Sequence, residues 1–282
     1  MKKTSSVSPG GLAIYGNGAD GFVTIAGDTD LTRDMFYFNL TINAGVTLST
    51  KGYSIFVKET AYFPHGTIEN KGNDGVGQNN PGAALAAGSI GGSSKGGKGS
   101  SWSASGTGKG GSGGGGGGVV FICAKNLVYP DGIISVKGGD GANGSVVSGT
   151  VSREAEVGDN ASHALGSSGG AGGNGTEING AGPGVAVPPF GGFKALPFSI
   201  ILKEIETTLY KISGGCGGGG GGSGSTDGGG GGGGGGGLIV LVYNEATHGT
   251  TSYVHGCGGA GAGGADAGSD GVDGTLISIL NR

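Results

Sequence analysis

Few residues of this chain have the chemistry to hold a phosphate, a metal or a substrate, so their spacing carries the first argument. The run Gly92-Ser93-Ser94-Lys95-Gly96-Gly97-Lys98-Gly99 follows the spacing of a phosphate-binding loop until its last position. There Gly99 replaces the Ser or Thr hydroxyl that magnesium needs, and no strand pattern precedes the run. Asp266, Asp270 and Asp273 fit neither an EF-hand loop nor the calcium-binding nonapeptide, and read as acidic turn residues. His65, His163, His248 and His255 lack both the i, i+4 spacing and the cysteine partners of a zinc site, and read as surface turn residues. Neither a Ser-His-Asp order nor a pair of carboxylates in an apolar context stands out. The sequence therefore points to no enzyme, no cofactor and no metal. Trp102, in the run SSWSASG, is a stacking platform for a sugar, an interface anchor or a filler of a gap in packed glycine.

What would position such residues is backbone stripped of side chains. Ten consecutive glycines, 228–237, run straight into the apolar strand Leu238-Ile239-Val240-Leu241-Val242, and a shorter copy at 113–118 runs into Val119-Val120-Phe121-Ile122. Ordering these tracts costs on the order of 10 kcal/mol beyond alanine, so they are either flexible linkers or segments that neighbouring backbone must approach from every side. Collagen needs glycine only at every third position, whereas glycine at every position frees every face. An extended chain of that kind has no internal hydrogen bonds, and its amides must bond sideways to other chains. Further glycine-rich runs at 88–118, 166–184, 214–224 and 256–274 supply neighbours. The reading is a polyglycine II bundle and not a linker.

Composition agrees. Glycine fills 76 of 282 positions with only 8 prolines, which excludes collagen, and the low charge argues against disorder. A net charge of -4 without a basic stripe gives no nucleic-acid signal. Cys123, Cys216 and Cys257 make no disulfide framework; Cys123 reads as a small hydrophobe in a strand, and Cys216 and Cys257 are left open as a pair. The start has two lysines but no apolar run of signal-peptide length, and nowhere do about 18 apolar residues follow one another, so no membrane contact is expected.

The rest of the chain reads as strands. Residues 22–25, 35–42 and 46–48 alternate β-branched and aromatic residues with Thr and Asn, and 275–280 close the chain as a strand. Residues 53–75 align without a gap on 119–141, with Pro64/Pro130, Gly66/Gly132, Ile68/Ile134 and Asp74/Asp140 matched, and 238–259 form a looser third copy, one residue shorter. A unit of this length cannot bury its own apolar face, so the copies must stack, with residues 39–52 as a half-coil before the first. Two inserts break the pattern. Residues 145–165 carry Arg153, Glu154, Glu156, Asp159 and His163 and read as an exposed loop; residues 185–213 contain Ile201, Ile205, Leu209 and Ile212 on one stripe of a helix, which either caps the chain's own core or forms a homotrimer contact. The fold expected is mainly β: short stacked solenoid-like strand repeats combined with a polyglycine II bundle and one short amphipathic helix. Residues 1–52 are an attachment arm with short strands and 53–282 the body.

Glycine tracts interrupted by variable loops, over residues 88–274, resemble the polyglycine-sandwich adhesins at the tips of tail fibres in T-even-type phages. The strand repeat and the amphipathic insert depart from that pattern and look more like glycine-rich tail or capsid-fibre components. The resemblance implies a rigid glycine core whose loops meet a bacterial surface receptor. By position those loops hold Trp102, Arg153, Glu154, Asp159, His163, His248 and Tyr253, the last two within 244–255. It further implies a homotrimeric virion protein whose partners are itself, other virion proteins and a host receptor or glycan. A microbial cell-surface filament or adhesin, extracellular in place of virion-borne, is the alternative, and an ice-binding protein a third.

Overall fold

A computed structural model describes residues 14–100, 108–146, 155–158, 161–162, 169–175, 178–184, 186–187, 215–224, 226–252, 254 and 256–281. The protein is mainly β, its two large sheets are wholly parallel, and no helix occurs among the described residues. The helix expected around Ile201, Ile205, Leu209 and Ile212 lies outside them.

The sheets follow from a repeated coil of long strand, tight turn and short strand. The long strands β1 (Gly21–Ile25), β3 (Met35–Ile42), β5 (Ile55–Tyr62), β8 (Val119–Val128), β13 (Leu238–Thr247) and β15 (Thr275–Leu280) form one six-stranded sheet in chain order. The short strands β2 (Thr29–Asp30), β4 (Thr47–Ser49), β6 (Thr67–Glu69), β9 (Ile133–Ser135) and β14 (Thr250–Ser252) form a second sheet, also in chain order. Between the sheets lies the main core, including Leu40, Leu48, Ile68, Ile122, Ile134 and Leu241, all essentially inaccessible to water. Each such side chain contributes about 1.5–3 kcal/mol by leaving water. On the far side of the long-strand sheet a second cluster holds Val119, Phe121, Cys123, Leu238, Val240 and Val242. Burial on both faces is why the first halves of β8 and β13 read as unbroken apolar runs instead of alternating.

The strand pairing follows the alignment read from sequence over part of its length. Residues 60–62 lie opposite 126–128 and 67–69 opposite 133–135, the alignment read from sequence. Ahead of a bulge between Val57 and Thr60 the pairing slips by one, so that Ile55 faces Ile122. Pro64 and Pro130 sit at the second position of turns closed by Gly66 N–H to Phe63 O (3.4 Å) and Gly132 N–H to Tyr129 O (3.1 Å). In the third copy only His248 and Gly249 join β13 to β14, two residues fewer than join β8 to β9. The half-coil expected at 39–52 is instead a full coil, β3 with β4, and another, β1 with β2, precedes it.

Of the stretch read as an attachment arm, residues 14–20 cross the outer face of the long-strand sheet from β8 over β5 and β3 to β1. Asn281 Nδ2 donates to the Tyr15 hydroxyl (2.9 Å), Cys123 Sγ to Ile14 O (3.0 Å), and Asp20 N–H to Phe36 O (2.9 Å). Gly16, at φ 81°, passes over Phe56 so closely that a Cβ would lie 2.8 Å from that residue's own. Positive φ and this contact together require glycine.

Between the coils run three glycine-rich excursions, 70–118, 136–237 and 253–274, leaving the ends of β6, β9 and β14. They bond to one another in a pattern of period three. The amides of Gly229, Gly232 and Gly235 donate to the carbonyls of Gly222, Gly219 and Cys216; those of Gly231, Gly234 and Gly237 to Ala142, Gly139 and Val136; those of Gly230, Gly233 and Gly236 to Asp266, Ser269 and Val272, all at 2.8–3.1 Å. Carbonyls of the same tract accept from Gly111, Gly114 and Gly117, from Gly170 and Gly173, and from Gly256 and Gly259. Six segments therefore surround one. A Cβ on Gly234 would meet the carbonyl oxygen of Gly115 deep inside van der Waals contact. At the rim, where the next chain is missing, Asx side chains take its part: Asp74 Oδ1 accepts from Asp140 N–H (2.8 Å), Asp140 Oδ1 from Cys257 N–H (2.7 Å) and Asn143 Oδ1 from Ala260 N–H (2.8 Å). Two-residue pairings of β10 (Ser145–Val146) with β7 (Gly108–Lys109), and of β11 (Ala161–Ser162) with β12 (Ala186–Val187), complete the strands.

This body corrects one expectation and answers one open question. The 145–165 insert is not wholly an exposed loop: Glu156 N–H donates to Lys98 O (2.9 Å), its carbonyl accepts from Gly220 (3.0 Å), and Gly158 is buried, so 155–158 cross the body as one of its members. Cys216 and Cys257 are not joined by a disulfide, and neither is Cys123.

Candidate functional site

The receptor-loop residues expected from sequence fall mostly outside the described chain: Trp102, Arg153, Glu154, Asp159, His163 and Tyr253. Residues 244–255 are no loop where they are described, because Asn244–Thr247 belong to β13 and Thr250–Ser252 to β14. Their polar residues mark a sheet wet on one face, and in-register pairing of Glu245 with Asn126 and Thr247 with Val128 satisfies the backbone. His248, exposed in the intervening turn, stands edge-on to Tyr129 and Tyr243 (ring centroids 5.7 and 5.3 Å), with Nδ1 3.1 Å from the Tyr129 hydroxyl. It ends an aromatic ladder in which Phe63 stacks on Tyr129 at 4.9 Å.

Most amides of the phosphate-loop spacing at 92–99 are already engaged and do not converge on an anion site. The N–H groups of Ser94, Gly96, Gly97 and Gly99 donate to the carbonyls of Gly215, Gly82, Gly218 and Gln78. Burial pushes the Cys123 thiol up to about 12, which leaves it protonated and unreactive at neutral pH. Asp270 acts as a rim residue, accepting from Gly258 N–H at 2.8 Å. Among the described residues no three His, Cys, Asp or Glu side chains are gathered to hold a metal, and no helix is long and apolar enough to cross a membrane.

A concave site does exist, on the outer face of the short-strand sheet. The three-residue strands β4, β6 and β9 point their middle residues Leu48, Ile68 and Ile134 inward and their flanking residues outward. The outward rank Asp30, Ser49, Glu69 crosses three coils in register. Two cavities of about 540 Å³ and about 270 Å³ share Ser49, Lys51 and Glu69 and so form one groove. Asp28, Asp30 and Thr47 line its wider lobe; Lys71, Asn73 and Asp74 line the narrower.

Lys51 stands where the lobes meet. It has φ 49°, the only left-handed residue besides glycine among those described, in a turn with Gly52 (φ 78°) that Tyr53 N–H closes onto Thr50 O at 2.9 Å. A side chain in that region costs roughly 1–2 kcal/mol, and such strain gathers at functional sites. Its Nζ lies 3.3 Å from Asp30 Oδ2. Asp28 Oδ1 accepts from Thr47 N–H (2.8 Å), which fixes that carboxylate at the groove wall. Glu69 makes no ion pair among the described residues. Four carboxylates, Asp28, Asp30, Glu69 and Asp74, against Lys51 and Lys71 leave the groove net negative. Nothing in the sequence reading singled these residues out. The signal was there as Thr47-Leu48-Ser49 and Thr67-Ile68-Glu69, two short runs that keep a polar residue on each side of an apolar one, with Lys51 just before a glycine.

Compared with family models, curated proteins and solved structures, the chain matches none.

Proposed function

We propose that the protein is a non-enzymatic structural protein of a virion, a phage tail or capsid fibre component that displays recognition surfaces to a host cell. In this reading the stacked coils are a short solenoid and the excursions a polyglycine II bundle, fused into one stiff block. One observation carries it: the amides of 229–237 turn through three neighbours with period three, the screw of an extended three-residue helix, with six segments around one. A lattice without side chains leaves little room for a catalytic cleft inside it and serves as a rigid mount. The virion assignment comes from the resemblance of the glycine tracts to tail-fibre adhesins. Particles purified from the source culture, with the protein tagged and imaged by electron microscopy, test it. Label at tail or capsid supports the reading, and label only in cell-envelope fractions favours a microbial surface filament or adhesin. Light scattering tests the homotrimer, for which three times 26.7 kDa is the expected mass.

One feature favours an ice-binding protein as a second reading. Thr47, Thr67 and Thr250 form one rank across the parallel sheet, and Ser49, Ser135 and Ser252 stand in another. Ile133 breaks the first rank and Glu69 the second, so the face is less regular than that function needs. Thermal hysteresis at micromolar protein supports this reading, and ice growth unchanged by the protein rejects it.

A further inference from the structure

We infer that the groove across β2, β4 and β6 binds a hydroxyl-rich oligosaccharide, neutral or amino-bearing, laid along the stacking axis of the coils. This deepens the display reading by giving the displayed body a ligand of stated chemistry.

Three features point to that class. The lining is almost wholly polar and mixes acceptors with donors: the carboxylates of Asp28, Asp30 and Glu69, the ammonium of Lys51, and the hydroxyls of Thr47 and Ser49. Sugar hydroxyls donate and accept at once and match such a lining, whereas an apolar ligand finds no wall to bury against. Parallel strands set outward side chains about 4.8 Å apart, so Asp30, Ser49 and Glu69 repeat at a spacing close to the length of one pyranose ring. Finally, the excess of carboxylates repels a polyanionic chain and tolerates an ammonium. Lys51 supplies the one cation at the waist, held there in a conformation that glycine would adopt without cost.

The test uses the full chain on an array of neutral, amino and uronic-acid oligosaccharides, with binders measured by titration calorimetry. Saturable binding of neutral or amino members, and weaker binding of their uronic-acid counterparts, is the expected result. Glu69→Gln keeps the shape and removes an acceptor charge, and is expected to weaken association about tenfold. Lys51→Gly is the more telling variant: it relieves the left-handed strain, so the unfolding midpoint holds or rises while binding falls by a similar factor. A purely structural Lys51 would move stability and leave binding alone. The inference is overturned if no array member binds, if uronic-acid chains bind best, or if both variants bind as the parent does. A protein that binds sugar but is absent from particles fails the virion reading alone; one present in particles that binds no sugar fails this inference alone.

Discussion

At Gly234 one methyl group decides whether the body can close. A Cβ there would drive into the carbonyl of Gly115, backbone that cannot swing aside, whereas a Cβ on Gly27, whose φ is not in the left-handed region, meets nothing. Gly234→Ala is expected to lose about 2–4 kcal/mol of stability in denaturant unfolding, and Gly27→Ala to stay within about 0.5 kcal/mol of the parent. The thiols give a second residue-scale measurement. Cys123 and Cys216 are buried and Cys257 exposed, so native protein should react with one equivalent of an aromatic disulfide reagent and denatured protein with three. The glycine requirement was legible, because an unbroken run without side chains that leads straight into an apolar strand suits backbone packed against backbone. The groove was not. Asp30, Ser49 and Glu69 lie some twenty residues apart, and only the pairing of neighbouring short strands brings them into one rank.

The coil is the element that sets register, and the 14–20 crossing fastens the first coils to the last. Its anchor is Asp20, whose carboxylate takes two bonds from Arg33 (2.7 and 3.1 Å) and one from Phe36 N–H (2.7 Å). The Arg33 bonds first, and the Phe36 amide second, hold Asp20 below the usual carboxylate range. A group whose folded value is depressed contributes stability that is complete above its unfolded value of about 4 and lost as pH falls through the folded one. Asp20→Asn should therefore narrow the difference in unfolding midpoint between about pH 6 and about pH 2, as read by circular dichroism. Strands β8 and β13 were legible from their apolar runs, and β15 from its bounds. Residues 244–252 misled because Asn244, Glu245 and Thr247 look like loop composition. Pairing against β8 extends that strand into a region wet on one side, a fact about the neighbour and not about the segment itself.

Across the whole molecule the sheets and the glycine body share every boundary, since each excursion leaves one coil and returns to begin the next. Hydrogen exchange separates a bonded lattice from a loose coil. The amides of 229–237 are expected to exchange as slowly as those of β8, while Gly264, which has no neighbouring atom where a Cβ would lie, exchanges fast. Fast exchange throughout the tract would remove the rigid body on which the proposed function rests. That strands begin where the glycine tracts end was legible, because Leu238 and Val119 follow directly on unbroken glycine. How many coils stack was not, since β1 and β2 carry little of the repeat seen later.

The seating of the ten-glycine tract also governs how the chain is made. Its partners at 111–117 and 136–142 emerge from the ribosome before it, but those at 256–259 and 266–272 emerge after it. The tract can therefore complete its shell only after residues up to 272 have been made, and its long-range pairings make for slow maturation. Lacking apolar side chains, the segment offers little for other nascent chains to stick to.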